Sequence, residues 1–171
     1  ETVDGNYARV EKNPSAESWA GVTIGSGAGF LNQIPVSNTD TKIYADVYVS
    51  GTDQTGIPIR LKIENSNDPT QSVETESFTS LSGEWETMEF DFSNHVDGTQ
   101  QLNINFFFNK ASIFFNFGNP GNQNTIFYFD NVYFGAPLGL TESIIQSNLI
   151  YPIPSNGNIF LKSYIEFDAV I

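Results

Sequence analysis

An alternation of aliphatic and polar residues over 57–63 limits this chain more than any other feature. Ile57, Ile59, Leu61 and Ile63 interleave with Pro58, Arg60, Lys62 and Glu64. A period of two marks a β-strand, in which successive side chains leave on opposite faces. Turn-forming Asn, Ser, Asp and Pro follow at 65–71. Val73, Thr75 and Ser77 then alternate with Glu74 and Glu76. The two runs predict a hairpin with one apolar and one charged face. Paired in register, Arg60 and Lys62 lie opposite Glu74 and Glu76, where unlike charges support the ladder.

The same period recurs along the chain. Residues 41–50 set Ile43, Ala45, Val47 and Val49 against Lys42, Tyr44, Asp46 and Tyr48, and residues 85–93 set Met88, Phe90 and Phe92 against Trp85, Thr87, Glu89 and Asp91. Shorter candidates lie at 7–12 and 19–25, the second with Val22 and Ile24 inward and Trp19 and Thr23 outward. Residues 102–108, 112–117 and 125–134 hold most of the phenylalanines. Their near-continuous apolarity predicts central strands covered on both sides. Strands recurring with turns roughly every 8 to 12 residues indicate an all-β fold, an antiparallel β-sandwich of jelly-roll type. The GSGAG run at 25–29 reads as a connector, since no lysine and no helix follow it. Composition changes at Gly135. A boundary near 136 is expected, with a β-sandwich over 1–136, a linker over 137–148 and a short β appendage over 149–171.

Charge and residue usage exclude several functions. The net charge is −13 with only seven Lys and Arg, which lacks the basic footprint that nucleic acid demands. The same balance argues against anionic membranes and sulfated or uronic polymers, and leaves a neutral ligand or a cation. Cysteine is absent, so disulfides, thiolate catalysis and cysteine-held zinc are not available. No apolar run approaches the roughly 20 residues of a membrane span. The chain opens at Glu1 without a recognisable leader, which suggests a mature or excised form.

The stretches ESWAGVTIG, IPIRLKIEN with SVETESF, GEWETMEFDFSN, KASIFFNFG and FYFDNVYFG resemble a carbohydrate-binding module of the family 4 and family 16 kind. These are jelly rolls (galactose-binding-like) that accompany laminarinases and other glycan-degrading enzymes of marine Bacteroidetes. The run YPIPSNGNIF resembles the start of the C-terminal sorting domain of type IX secretion, with Ile153 where that family has Asn. Together the resemblances imply a secreted or cell-surface location and a place in a larger multidomain protein. The module's topology would gather Trp19, Thr23, Arg60, Lys62, Glu64, Glu74, Glu76, Phe114 and Asn116 on one sheet face. Such modules often hold a structural Ca²⁺ away from the sugar site. Asp130 matches its last-strand ligand position, and Asp4 or Glu1 could supply a second ligand.

Catalysis has its own candidates. Glu84, Glu86 and Glu89 form an E-x-E-x-x-E run, reminiscent of the E-x-D-x-x-E signature of jelly-roll β-glucanases. Retaining enzymes need two carboxylates about 5 to 5.5 Å apart. Residues five apart on a regular strand point to opposite faces, so Glu84 and Glu89 would converge only across a bulge. Glu74 and Glu76 share a face at about 6.6 Å, but Arg60 and Lys62 opposite them would keep both ionised. His95 lies in a polar turn without an obvious partner.

A pyranose instead wants an aromatic platform for its apolar face and bidentate polar partners for its hydroxyls, and the outward set supplies both. Tyr44 and Tyr48 belong to the opposite sheet in this topology, where cover for the surface explains them. The expected function is non-catalytic binding of a polysaccharide, a neutral β-glucan such as laminarin. Trp19→Ala or Arg60→Ala should then abolish binding without altering stability. The competing reading is a structural or adhesion β-domain with no small ligand, and a β-glucanase-like hydrolase is a further one.

Overall fold

The computed structural model describes residues 7–121 and 125–135. All of them belong to the first of the two units into which the chain divides, Glu1–Pro137 and Leu138–Ile171. The expected linker and β appendage lie outside the described residues.

Eight strands make up the described fold: β1 (Ala8–Lys12), β2 (Val22–Ile24), β3 (Lys42–Val49), β4 (Pro58–Asn65), β5 (Asp68–Phe78), β6 (Trp85–Asp91), β7 (Lys110–Phe115) and β8 (Thr125–Phe134). They form two four-stranded sheets, β1-β8-β3-β6 and β2-β7-β4-β5, with every pairing antiparallel. No helix occurs among the described residues. The described residues form an all-β sandwich.

The core is what the period of two dictates. Ile59, Leu61 and Ile63 from β4, Val73 from β5 and Ile113 from β7 are wholly buried, as are Val47 and Phe90 from the other sheet. Phe115 and Phe127, from different sheets, stack with centroids 4.9 Å apart. Each such side chain contributes about 1.5–3 kcal/mol by leaving water. The apolar inner faces therefore fix the outer faces, because a register slip of one residue would invert both.

Three expectations need correction. Residues 102–108 form no strand. Asn103 Oδ1 accepts the Asn105 N–H at 3.1 Å and the Asn103 carbonyl accepts the Phe106 N–H at 3.0 Å, which winds the backbone into a turn. Phe108 is buried from this loop, so its apolarity fills the core without joining a ladder. Second, β7 and β8 are inner strands of their sheets but are not covered on both sides. Ala111, Ile113 and Phe115 are buried while the residues between them are only half-buried. Third, β8 is not regular. Asn131 has φ +46° and the β3–β8 register shifts between Tyr44 and Asp46. This bulge inserts one residue, so that Phe127 and Phe129 before it and Val132 and Phe134 after it all pack on the core.

Candidate functional site

The outer face of the β2-β7-β4-β5 sheet carries the predicted charged hairpin. Arg60 pairs with Glu76 and Lys62 with Glu74 across β4 and β5, while β7 places Phe114 beside Arg60 and Ser112 beside Lys62. Thr23 stands opposite Ser112, with the two hydroxyls 3.5 Å apart. Seven of the nine expected residues, Thr23, Arg60, Lys62, Glu64, Glu74, Glu76 and Phe114, thus share this face.

The ion pairs differ from the expected rungs. Arg60 takes both glutamates of β5: Nη1 donates to Glu74 Oε2 at 3.1 Å, and Nε and Nη2 donate to Glu76 Oε2 at 3.2 Å. A planar guanidinium can fork in this way and an ammonium cannot. Lys62 is left to pair along its own strand with Glu64 Oε2 at 2.7 Å, and Lys110 reaches Glu64 Oε1 at 3.0 Å. Burial alone would push the Glu64 carboxyl up, but hydrogen bonds from Lys62 and Lys110 outweigh it and hold the group below its ordinary value. Glu74 and Glu76 keep Oε1 open among the described residues. Three cations and three carboxylates thus form a charge-balanced lattice of two triads, Arg60 with Glu74 and Glu76, and Glu64 with Lys62 and Lys110.

Aromatic rings collect at one end of this face. The Arg60 guanidinium lies 3.6 Å from the centroid of Phe117, and Phe117 meets Phe114 edge-on at 5.8 Å. Gly21 admits Phe114, since a Cβ there would collide with the ring and come within 2.8 Å of the Ile113 carbonyl. Phe78, two residues beyond Glu76 on β5, is 58% exposed. Sequence reasoning passed over Phe78 and Phe117. The alternation of β5 was enough to place Phe78 outward; Phe117 lies past the end of β7, where periodicity gives no signal.

Trp19 and Asn116 are not on strands. Strand β2 begins only at Val22. Trp19 occupies a turn closed by the Ala20 N–H on the Glu17 carbonyl, and is 64% exposed. Asn116 has φ +49°, which ends β7, and its Oδ1 accepts from Asn119 at 2.9 Å. The two turns are tied together. Gly118 N–H donates to the Ser18 carbonyl at 3.0 Å. Buried Lys12, at the end of β1, donates to the carbonyls of Asn116 at 2.9 Å, Phe115 at 3.1 Å and Ser18 at 3.4 Å. Burial pushes the Lys12 ammonium below its ordinary pKa. Its role is to tie the turn that carries Trp19 to the end of β7, where Phe117 follows.

The acidic run on β6 does not converge. Glu86 accepts from the Ser80 N–H, the Ser80 hydroxyl and the Leu81 N–H. Glu89 pairs with Lys42 at 2.7 Å and accepts from Tyr44 at 2.9 Å. Glu84 precedes the strand. Each carboxylate present on β6 has a structural partner of its own.

Asp130 is the one expected calcium ligand among the described residues. It lies half-buried beside the bulge, level with Asp46, and its Oδ1 accepts the Asn131 N–H at 2.8 Å. Asp46 already accepts from Thr87 at 2.6 Å and Asn131 at 2.8 Å. Calcium takes six to eight oxygens, and among the described residues no group of three His, Cys, Asp or Glu could hold a metal. Asp4 and Glu1 lie outside the described residues. No helix among the described residues is long and apolar enough to cross a membrane. No protein-family model, curated protein or solved structure matches this chain.

Proposed function

We propose that the chain is a non-catalytic carbohydrate-binding module of jelly-roll type, which takes a neutral β-glucan such as laminarin on the outer face of the β2-β7-β4-β5 sheet. One observation carries the reading. That face holds a rigid, charge-balanced lattice of hydrogen-bonding groups, Arg60 with Glu74 and Glu76, and Lys62 and Lys110 with Glu64, beside exposed Trp19 and Phe78. Preset donors and acceptors suit vicinal hydroxyls, and an exposed ring suits the apolar face of a pyranose. The strand order 1-8-3-6 over 2-7-4-5 supports the jelly-roll assignment, an eight-strand double sheet. The reading also places the module in a secreted or cell-surface protein beside other domains.

Affinity electrophoresis in laminarin tests it. Trp19→Ala should lose retardation while its melting temperature stays within about a degree, because a residue this exposed contributes little to the core. Retention of full binding by Trp19→Ala and by Phe78→Ala together would refute the site. One observation favours the structural or adhesion reading: every charge in the lattice already has an intramolecular partner. A wild-type chain that is retarded by no glycan at high concentration would select it.

A further inference from the structure

The opposite face of the sandwich carries a second feature that the glycan reading does not use. Four aromatic side chains from four different strands or strand ends meet there. Tyr48 of β3 is paired with Trp85 of β6 on one side and Tyr128 of β8 on the other, and Tyr7 immediately precedes β1. The contacts close into a circuit. Tyr7 and Tyr128 have centroids 5.2 Å apart, Tyr128 and Tyr48 5.7 Å, Tyr48 and Trp85 5.7 Å, and Trp85 and Tyr7 6.0 Å. These rings line an open depression of about 340 Å³.

Ring orientation separates the ligands that could use it. Adjacent planes are inclined at 89°, 69°, 52° and 56° around the circuit. A flat sugar ring stacks on one ring or on coplanar rings, and no two neighbours here are near parallel. Steeply inclined walls suit a compact, round group. With sides of 5.2 to 6.0 Å, the circuit has its centre closer to each centroid than the length of a side, inside the roughly 6 Å over which a cation is drawn to a π face.

The charges on this face agree. Arg9 and Glu11 neutralise one another at 3.0 Å, as do Lys42 and Glu89 at 2.7 Å. Of the carboxylates left without a cation, Asp46 and Asp130 each lie two residues from a cage ring on the same strand, about 7 Å along it. Their hydrogen bonds come from neutral groups, Thr87 and Asn131. Arg9 is an opposing charge level with Tyr128 and hydrogen-bonded to it, and Glu11 pairs with it at 3.0 Å.

We propose that Tyr7, Tyr48, Trp85 and Tyr128 form an aromatic cage for a methylated or quaternary ammonium group, with Asp46 and Asp130 supplying the surrounding negative potential. The assignment is independent of the glycan site and concerns the other sheet.

Isothermal titration of the full chain with choline, and with its neutral isostere 3,3-dimethylbutan-1-ol, tests the proposal. Choline should saturate one site and bind at least tenfold tighter than the isostere, since shape is shared and only charge differs. Tyr7→Leu lies outside every strand pairing and should weaken choline at least fivefold with the fold intact by circular dichroism. Tyr48→Phe keeps the ring and should stay within about twofold. Phosphocholine and a trimethyllysine peptide serve as further titrants, and the tighter of the two names the carrier. Equal binding of choline and the isostere, no saturation by choline, or displacement of choline by laminarin would each overturn the cage. Loss of laminarin binding alone would leave it intact and refute only the glycan site.

Discussion

Replacing Arg60 by Met tests the charged lattice most directly. The substitution keeps the apolar stem and removes the guanidinium. Arg60 is 13% exposed at the side chain, and Glu74 and Glu76 are 22% and 21% exposed. Its loss leaves two half-buried carboxylates on one face without their cation. Breaking a buried pair from one side costs about 3–5 kcal/mol, chiefly through the charge left behind. One-fifth exposure lets water repay part of that, while the lost stack on Phe117 adds about 0.5–1 kcal/mol. The expected destabilisation is about 2–4 kcal/mol. With a urea slope of about 2 kcal/mol/M, the unfolding midpoint should fall by roughly 1.5 M. The combination Arg60→Met with Glu74→Gln and Glu76→Gln should recover at least half of the loss, because it removes the stranded charges. A drop below about 0.5 kcal/mol, or no recovery in the triple variant, would refute the reasoning. The expectation that Arg60→Ala leaves stability unchanged is thereby withdrawn, since the side chain is structural before it is anything else.

Glu64→Gln should cost about 1–3 kcal/mol at pH 7 by loosening both Lys62 and Lys110. The folded carboxyl sits below its unfolded value, so its stabilisation is complete above about pH 4.5 and fades as pH falls through the folded pKa. Urea midpoints of wild type and variant should therefore converge as pH falls below that value, and parallel curves would contradict the assignment. Lys12→Met strips three carbonyls of their donor and should cost about 1–3 kcal/mol, seen as a lower melting temperature. Since burial depresses the folded Lys12 pKa, the folded state holds fewer protons than the unfolded one up to about pH 10.5. The wild type should gain stability relative to Lys12→Met as pH rises through that window; a gap that shrinks would reverse the sign of the argument.

Periodicity made the strands and their inner faces legible. Ile59, Leu61 and Ile63 could only point one way once they alternated with charges, and that fixed Arg60, Lys62 and Glu64 outward. Pairing partners were legible only in part. The register set Lys62 opposite Glu74 as expected, yet the fork of Arg60 claimed both glutamates and sent Lys62 to Glu64. Such a choice depends on head-group geometry, which a pattern of letters does not contain. Residues 102–108 misled because a phenylalanine-rich run reads the same whether it pairs or plugs a core from a loop; the Asn103 side chain, with its own hydrogen bonds to the backbone, decided it. Positive φ at Asn116 and Asn131 was equally silent in the sequence. The aromatic cage was hidden for a different reason: its four members come from chain positions as far apart as 7 and 128, and only sheet topology assembles them.

Charge distribution gives the two faces opposite characters. Of the seven Lys and Arg in a chain of net charge −13, Arg60, Lys62 and Lys110 lie on the β2-β7-β4-β5 outer face, balanced there by Glu64, Glu74 and Glu76. Those six groups sum to zero, so the surplus of negative charge lies outside them. A neutral ligand approaching the lattice meets short-range dipoles and no net field. A cation is drawn elsewhere, and Asp46 and Asp130 lie beside the cage that could receive it. The long-range part of such attraction is screened within about 8 Å at physiological salt, whereas stacking and hydrogen bonding to a sugar are not. Raising the salt from 0.05 to 0.5 M (about 14 to 4 Å in Debye length) should weaken choline severalfold and leave laminarin retention nearly unchanged. The same dependence for both ligands would mean that one surface serves both, and the division of labour between the sheets would fail.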